Sequence, residues 1–135
     1  MLRDLYSNLK VIAATVSMLS DDTAVASPIV DTRGYQSVLF VVQTGTLADA
    51  NATFAAVMAE SAASNMAGSN AVDDADMIGL ETGVSFIFSD DDFEGKIGYI
   101  GNKRYVQLTI TPTGNTGAAP ISIVALGVPH RFPAT

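Results

Sequence analysis

The chain has 135 residues, of which 48% are hydrophobic and 16% charged, with a single histidine and neither cysteine nor tryptophan. Its length suits one domain with one core, and the lack of cysteine excludes disulfide scaffolds, thiolate metal sites and cysteine nucleophiles. Fourteen acidic residues against seven basic ones give a net charge of −7, which disfavours nucleic acid and anionic membrane as partners. A chain this small and this apolar needs a place to put its apolar surface.

Residues 1–10 read as an N-terminal arm, with Leu2, Arg3, Leu5, Tyr6 and Leu9 as candidate contact residues, followed by a single domain over residues 11–135. Val11 to Leu19 is the longest apolar stretch, diluted by Thr15 and Ser17 and well short of the roughly 20 residues a spanning helix needs. Arg3 and Lys10 before it and Ala24-Val25-Ala26 after it have the outline of a signal peptide, but Asp4, Asp21 and Asp22 sit where such a segment is basic or neutral. The expectation is therefore synthesis in the cytoplasm without export. Leu2, Leu5, Leu9, Ile12, Val16 and Leu19 recur at helical spacing, whereas Ile12, Ala14, Val16 and Met18 alternate as in a strand. The β-branched residues between 11 and 16 favour the strand.

Beyond this segment, short β-like runs alternate with Gly, Asn, Asp, Pro and Ser. Ser37 to Gln43 is almost continuously apolar, which predicts a strand covered on both faces. Thr53 to Glu60 places Phe54 and Met58 on one face and Val57 on the other, and Val84 to Ser89 carries Phe86 and Phe88 in alternation. Ser61 to Ala75 reads as a long loop. Lys96 to Ile100 and Tyr105 to Thr111 flank Gly101-Asn102-Lys103-Arg104, a connection whose composition predicts a tight hairpin. Pro112 to Pro120 is a polar loop, and Ile121 to Val128 closes the set. Six to eight strands with little helical pattern predict an all-β, single-domain antiparallel β-sandwich, jelly-roll-like, with an N-terminal arm.

Chemistry finds few candidates. A serine triad needs a histidine base, and His130 between Pro129 and Arg131 is the one histidine; a terminal contact role suits it better. Asp73-Asp74-Ala75-Asp76 and Asp90-Asp91-Asp92 lack the spacing of a calcium loop, and adjacent residues of an extended segment point to opposite sides. They read as solvated turns. Gly95, Gly98 and Gly101 fall inside β structure rather than between a strand and a helix, so they mark close backbone approach instead of a phosphate loop. Lys103 and Arg104, beside Tyr99 and Tyr105, are too few to neutralise a phosphate backbone and read as partner contacts or solubilising turn residues. No enzyme activity, cofactor or metal is expected.

Asp31-Thr32-Arg33-Gly34-Tyr35-Gln36-Ser37 leading into an apolar strand, Thr44-Gly45-Thr46-Leu47, and a second strand ending in Glu60-Ser61 resemble small virion proteins encoded beside the capsid genes of tailed bacteriophages. Ile97-Gly98-Tyr99-Ile100-Gly101-Asn102-Lys103-Arg104-Tyr105-Val106 and the ending Gly127-Val128-Pro129-His130-Arg131 carry the same resemblance. The chain departs from the pattern at Ala62-Ala63-Ser64-Asn65-Met66, where relatives have an Asp-rich turn. The resemblance implies a capsid decoration, or cement, protein on the exterior of the expanded head, bound to the major capsid protein and to copies of itself, often as a trimer. Lys103, Arg104, His130 and Arg131 join the arm residues as the candidate contacts. A connector, tail or fibre-base protein is the alternative within that class; a carbohydrate- or receptor-binding module is the alternative outside it, although the 7% aromatic content offers few stacking platforms.

Overall fold

The alternating apolar residues build two antiparallel sheets packed face to face in the computed structural model, which describes residues 4–130. In chain order the strands are β1 (Lys10–Leu19), β2 (Val25–Ala26), β3 (Val30–Asp31), β4 (Tyr35–Thr44), β5 (Thr53–Ser61), β6 (Asn70–Ala71), β7 (Met77–Ile78), β8 (Phe86–Ile87), β9 (Glu94–Tyr99), β10 (Tyr105–Thr113) and β11 (Ala119–Pro129). One sheet has the order β1-β11-β4-β9-β7; the other runs β2-β10-β5-β6, with β3 also on β10 and β8 also on β5. From β4 onward the long strands β4, β5, β9, β10 and β11 alternate between the two sheets, so the chain crosses the sandwich repeatedly, as in a jelly roll.

Period-two alternation determines the core. Phe40 and Val42 of β4, Ile121 and Ile123 of β11, and Ile97 of β9 point inward from the first sheet and are fully buried. They meet Phe54 and Met58 of β5 and Val106, Leu108 and Ile110 of β10. Phe86 stacks between Phe54 at 4.7 Å and Phe93 at 5.3 Å, closing one end of the core.

The edges of the second sheet are closed largely by side chains. Ala56 N–H donates to Ser85 Oγ and Met58 N–H to Glu81 Oε1, covering the stretch of β5 between its pairings with β6 and β8. On the far edge, Ser27 N–H donates to the Leu108 carbonyl and Leu108 N–H to Ser27 Oγ, bridging the gap between β2 and β3. Backbone donors in these places are satisfied without a full-length edge strand.

Four sequence expectations change. The hairpin across Gly101 to Arg104 does not form: β9 is flanked by β4 and β7, β10 by β5 and by β2 and β3, so neither has an edge left for the other. That segment instead carries the chain between sheets, and it can do so because Gly101 has no side chain. A Cβ there would lie 2.5 Å from the Tyr99 hydroxyl. The expected strand Val84 to Ser89 shrinks to the two residues of β8, because Asp90 accepts from Ile87 N–H and turns the chain; Phe86 is buried while Phe88 is turned out. The expected loop Ser61 to Ala75 contains β6. Finally, β4 is not covered on both faces: Leu39 and Val41 are only half-buried on the outer side.

The arm also takes a definite shape where it is described. Asp4 Oδ1 accepts from Ser7 N–H, and Leu9 N–H donates to the Leu5 carbonyl, making one capped helical turn. Lys10 already pairs with Gly127 as the first residue of β1.

Candidate interaction face

Pairing register aligns apolar residues in rows across the outer face of the first sheet. One row runs Val11, Leu126, Leu39, Gly98, Ile78 over all five strands, and the next runs Ala14, Val124, Val41, Lys96. Val11 and Ile78, at the two ends of the first row, are 64% and 65% exposed. Val16 and Met18 continue the apolar surface along β1. In a sandwich with one solvated face these positions would be polar, so the apolar band makes this face the candidate interaction surface.

Gly98 gives this face its relief. Without a side chain between Leu39 and Ile78 it leaves a groove of about 390 Å³, lined by Leu9, Leu39, Ile78, Ile100, Leu126 and Val128, among others, with Lys96 as the one charged lining residue. A Cβ at Gly98 would touch Ile78 Cβ at 3.4 Å, so even alanine would begin to fill it. Leu9, from the end of the arm's turn, forms part of the wall.

Three of the segments that carry the virion-protein resemblance, residues 31–37, 97–106 and 127–130, meet beside the groove. Thr32 N–H and Oγ1–H both donate to the Arg104 carbonyl, and the Arg104 guanidinium makes two bonds to the Asp31 carboxylate. Arg104 also lies over the Tyr105 ring, 5.1 Å from its centre. His130 N–H donates to the Gly34 carbonyl, and Gln36 Nε2–H to the Pro129 carbonyl. The Asp31 to Gly34 turn thus holds the crossover and the end of β11 together. Hydrogen bonding to Arg104 keeps the Asp31 carboxyl below its ordinary value and raises the Arg104 guanidinium further.

Sequence-derived contact residues fare unevenly. Leu2, Arg3 and Arg131 lie outside the described residues. Leu5 and Tyr6 are exposed on the arm's turn, Tyr6 at 90%. Leu9, Lys103, Arg104 and His130 are brought to the same end of the sandwich, although Arg104 is engaged with Asp31. Leu39, Val41, Val124, Leu126, Ile78 and Lys96 were not anticipated. For Leu39 and Val41 the signal is the unbroken apolar run in β4, which is equally compatible with burial under other parts of the same chain.

The second aspartate run, Asp90-Asp91-Asp92, secures loops. Asp91 accepts from Leu47 N–H and Asp90 from Ile87 N–H. Among the described residues no three His, Cys, Asp or Glu side chains converge on a metal position, and no helix is long and apolar enough to cross a membrane.

No protein-family model and no curated protein matches the sequence. Among solved structures, the fold is similar to that of the PBSX exported protein XepA, with a TM-score of 0.58 and 11% identity over all of this chain and 42% of XepA. The Yersinia pseudotuberculosis-derived mitogen follows at TM-score 0.47 and 12% identity, over 93% of this chain and 89% of the mitogen. The CBM22-1-GH10 modules of Clostridium thermocellum xylanase 10B follow at 0.44 and 10%, over 97% of this chain and 28% of theirs. The chain spans about two fifths of the length of XepA, and at this identity the likeness is one of β-sandwich fold.

Proposed function

We propose that this chain is a non-enzymatic virion structural protein that decorates the exterior of an expanded phage head, bound to the major capsid protein and to copies of itself. The observation that carries this reading is the apolar band across the outer face of the first sheet, continuous with the groove at Gly98. A free protein gains nothing from such a face; a shell component covers it on assembly. The resemblance of the segments gathered beside the groove to small phage virion proteins supports the class. Many weak contacts repeated over a shell add up to durable attachment through effective concentration.

The test is co-sedimentation of the purified chain with empty heads, before and after expansion, of the phage or prophage that encodes it. The expected result is saturable binding in many copies on expanded heads. Binding as a single ring at one vertex would make it a connector, and no binding, or specific binding to glycans instead, would overturn the proposal.

A further inference from the structure

We infer that two copies of this chain pair antiparallel along β1, joining their five-stranded sheets into one continuous sheet across a two-fold axis. β1 is the terminal strand of its sheet, bonded to β11 on one side and to no strand on the other among the described residues. A ten-residue edge is long, and its unpaired N–H and C=O groups form a template for another strand. Proteins that stay monomeric blunt such an edge with charge, proline or a covering loop. Here β1 contains no proline, its one charge is Lys10 at the very start, and the bulge between Val11 and Ala13 disturbs only that end. Its outward side chains are unpartnered as well: Val16 is 82% exposed and Met18 64%.

The contrast with the other sheet sharpens the point. There, Ser85, Glu81 and Ser27 satisfy the edge backbone with their own side chains. The edge of β1 has no such cover among the described residues.

Charge selects the second copy as the occupant and sets its direction. Lys10 opens the strand, and exposed Asp21 and Asp22 follow its other end. An antiparallel mate brings each Lys10 to the acidic end of its partner, twice over, while the interior from Val11 to Ser20 is neutral. A parallel mate would set lysine beside lysine and aspartates beside aspartates. The pairing also extends the apolar band, because in that register the two Val16 side chains would meet at the centre, each flanked by a Met18 set against Ala14 of the other copy, on the same face. This dimer does not depend on a role in a virion and differs from the trimer that the resemblance implies.

The experiment is light scattering coupled to size-exclusion chromatography on the full chain at micromolar concentration. The expected mass is about 28 kDa, twice the 14.0 kDa of one chain. Val16→Lys, which places charge at the middle of the joint, is expected to return the mass to 14.0 kDa with an unchanged circular dichroism spectrum. Lys10→Glu is expected to raise the dimer dissociation constant about tenfold by reversing both end contacts. Amide exchange on the unaltered protein gives a readout independent of any variant: protection of β1 that rises with protein concentration while β4 stays constant. A monomer, a trimer, a dimer indifferent to Val16→Lys, or exchange at β1 that does not vary with concentration would each overturn the inference.

Discussion

The Tyr99 hydroxyl donates a hydrogen bond to the Glu60 carboxylate and so ties β9 of one sheet to β5 of the other. It also accepts from Lys103 N–H, holding the crossover that follows. Burial, with the neighbouring carboxylate, pushes the Tyr99 phenol well above its ordinary value of 10.0. Tyr99→Phe removes the donor to a carboxylate and the acceptor for a backbone amide, and is expected to cost about 2 kcal/mol. Urea unfolding checks this: a midpoint equal to that of the unaltered protein would show that the latch carries no stability. Because the folded phenol is raised, its contribution is complete below pH 10 and is lost as the pH climbs beyond that.

Asp49 joins two loops at the other end of the sandwich. Its carboxylate accepts from the Thr116 hydroxyl and amide and from the Asn51 and Ala52 amides, with the Thr116 hydroxyl the largest influence, and its pKa falls from 3.8 to about 2. A lowered folded value means that the carboxylate stabilises the protein above pH 3.8 and that this contribution is lost as the pH falls towards about 2. Asp49→Asn is expected to lower the melting temperature at neutral pH and to make it less steeply dependent on pH within that acid window. Parallel acid limbs for the two proteins would disprove the assignment.

Gly127 of β11 pairs with Lys10 of β1 on one side and Val38 of β4 on the other. A Cβ there would sit 2.5 Å from Tyr35 Cδ1 and 2.7 Å from Ile12 Cδ1. Gly127→Ala is expected to destabilise by about 1–2 kcal/mol, since displacement of the ring and the isoleucine outweighs the entropy gained by losing glycine. Thermal unfolding of the variant checks the sign as well as the size.

The apolar groove gives a functional prediction. Leu39→Glu and Leu126→Glu place charge on neighbouring strands at its centre, on side chains that already reach solvent. Each is expected to keep the fold by circular dichroism and to weaken binding to expanded heads at least tenfold, because a carboxylate buried at an apolar contact has no partner there. Head binding that survives both substitutions would move the attachment surface elsewhere.

Much of the sandwich was legible. Phe54 and Met58 facing opposite to Val57, or Val106, Leu108 and Ile110 on one side of a strand, follow from a two-residue repeat that any pleated strand must obey. The outer apolar face of the first sheet was harder to read. In β4 the run Val38 to Val42 predicts burial on both sides, and the sequence contains no mark that separates cover by the same chain from cover by another.

The amino-acid sequence by itself determined the class of this protein: an all-β domain without thiol chemistry, with short strands whose inward residues are set by alternation. Which strands became neighbours was decided only in three dimensions. Gly101-Asn102-Lys103-Arg104 is chemically fit for a hairpin and for a crossover alike, and the choice fell to the crossover because β4, β5, β7 and the β2 and β3 segments occupy the edges that a hairpin would have used. Hydrogen bonds of that kind join residues far apart in the chain, as with Val38 and Tyr99, and no local pattern encodes them. The same long-range pairing aligns Val11, Leu126, Leu39, Gly98 and Ile78 into one row, turning apolar residues scattered over the sequence into a single face.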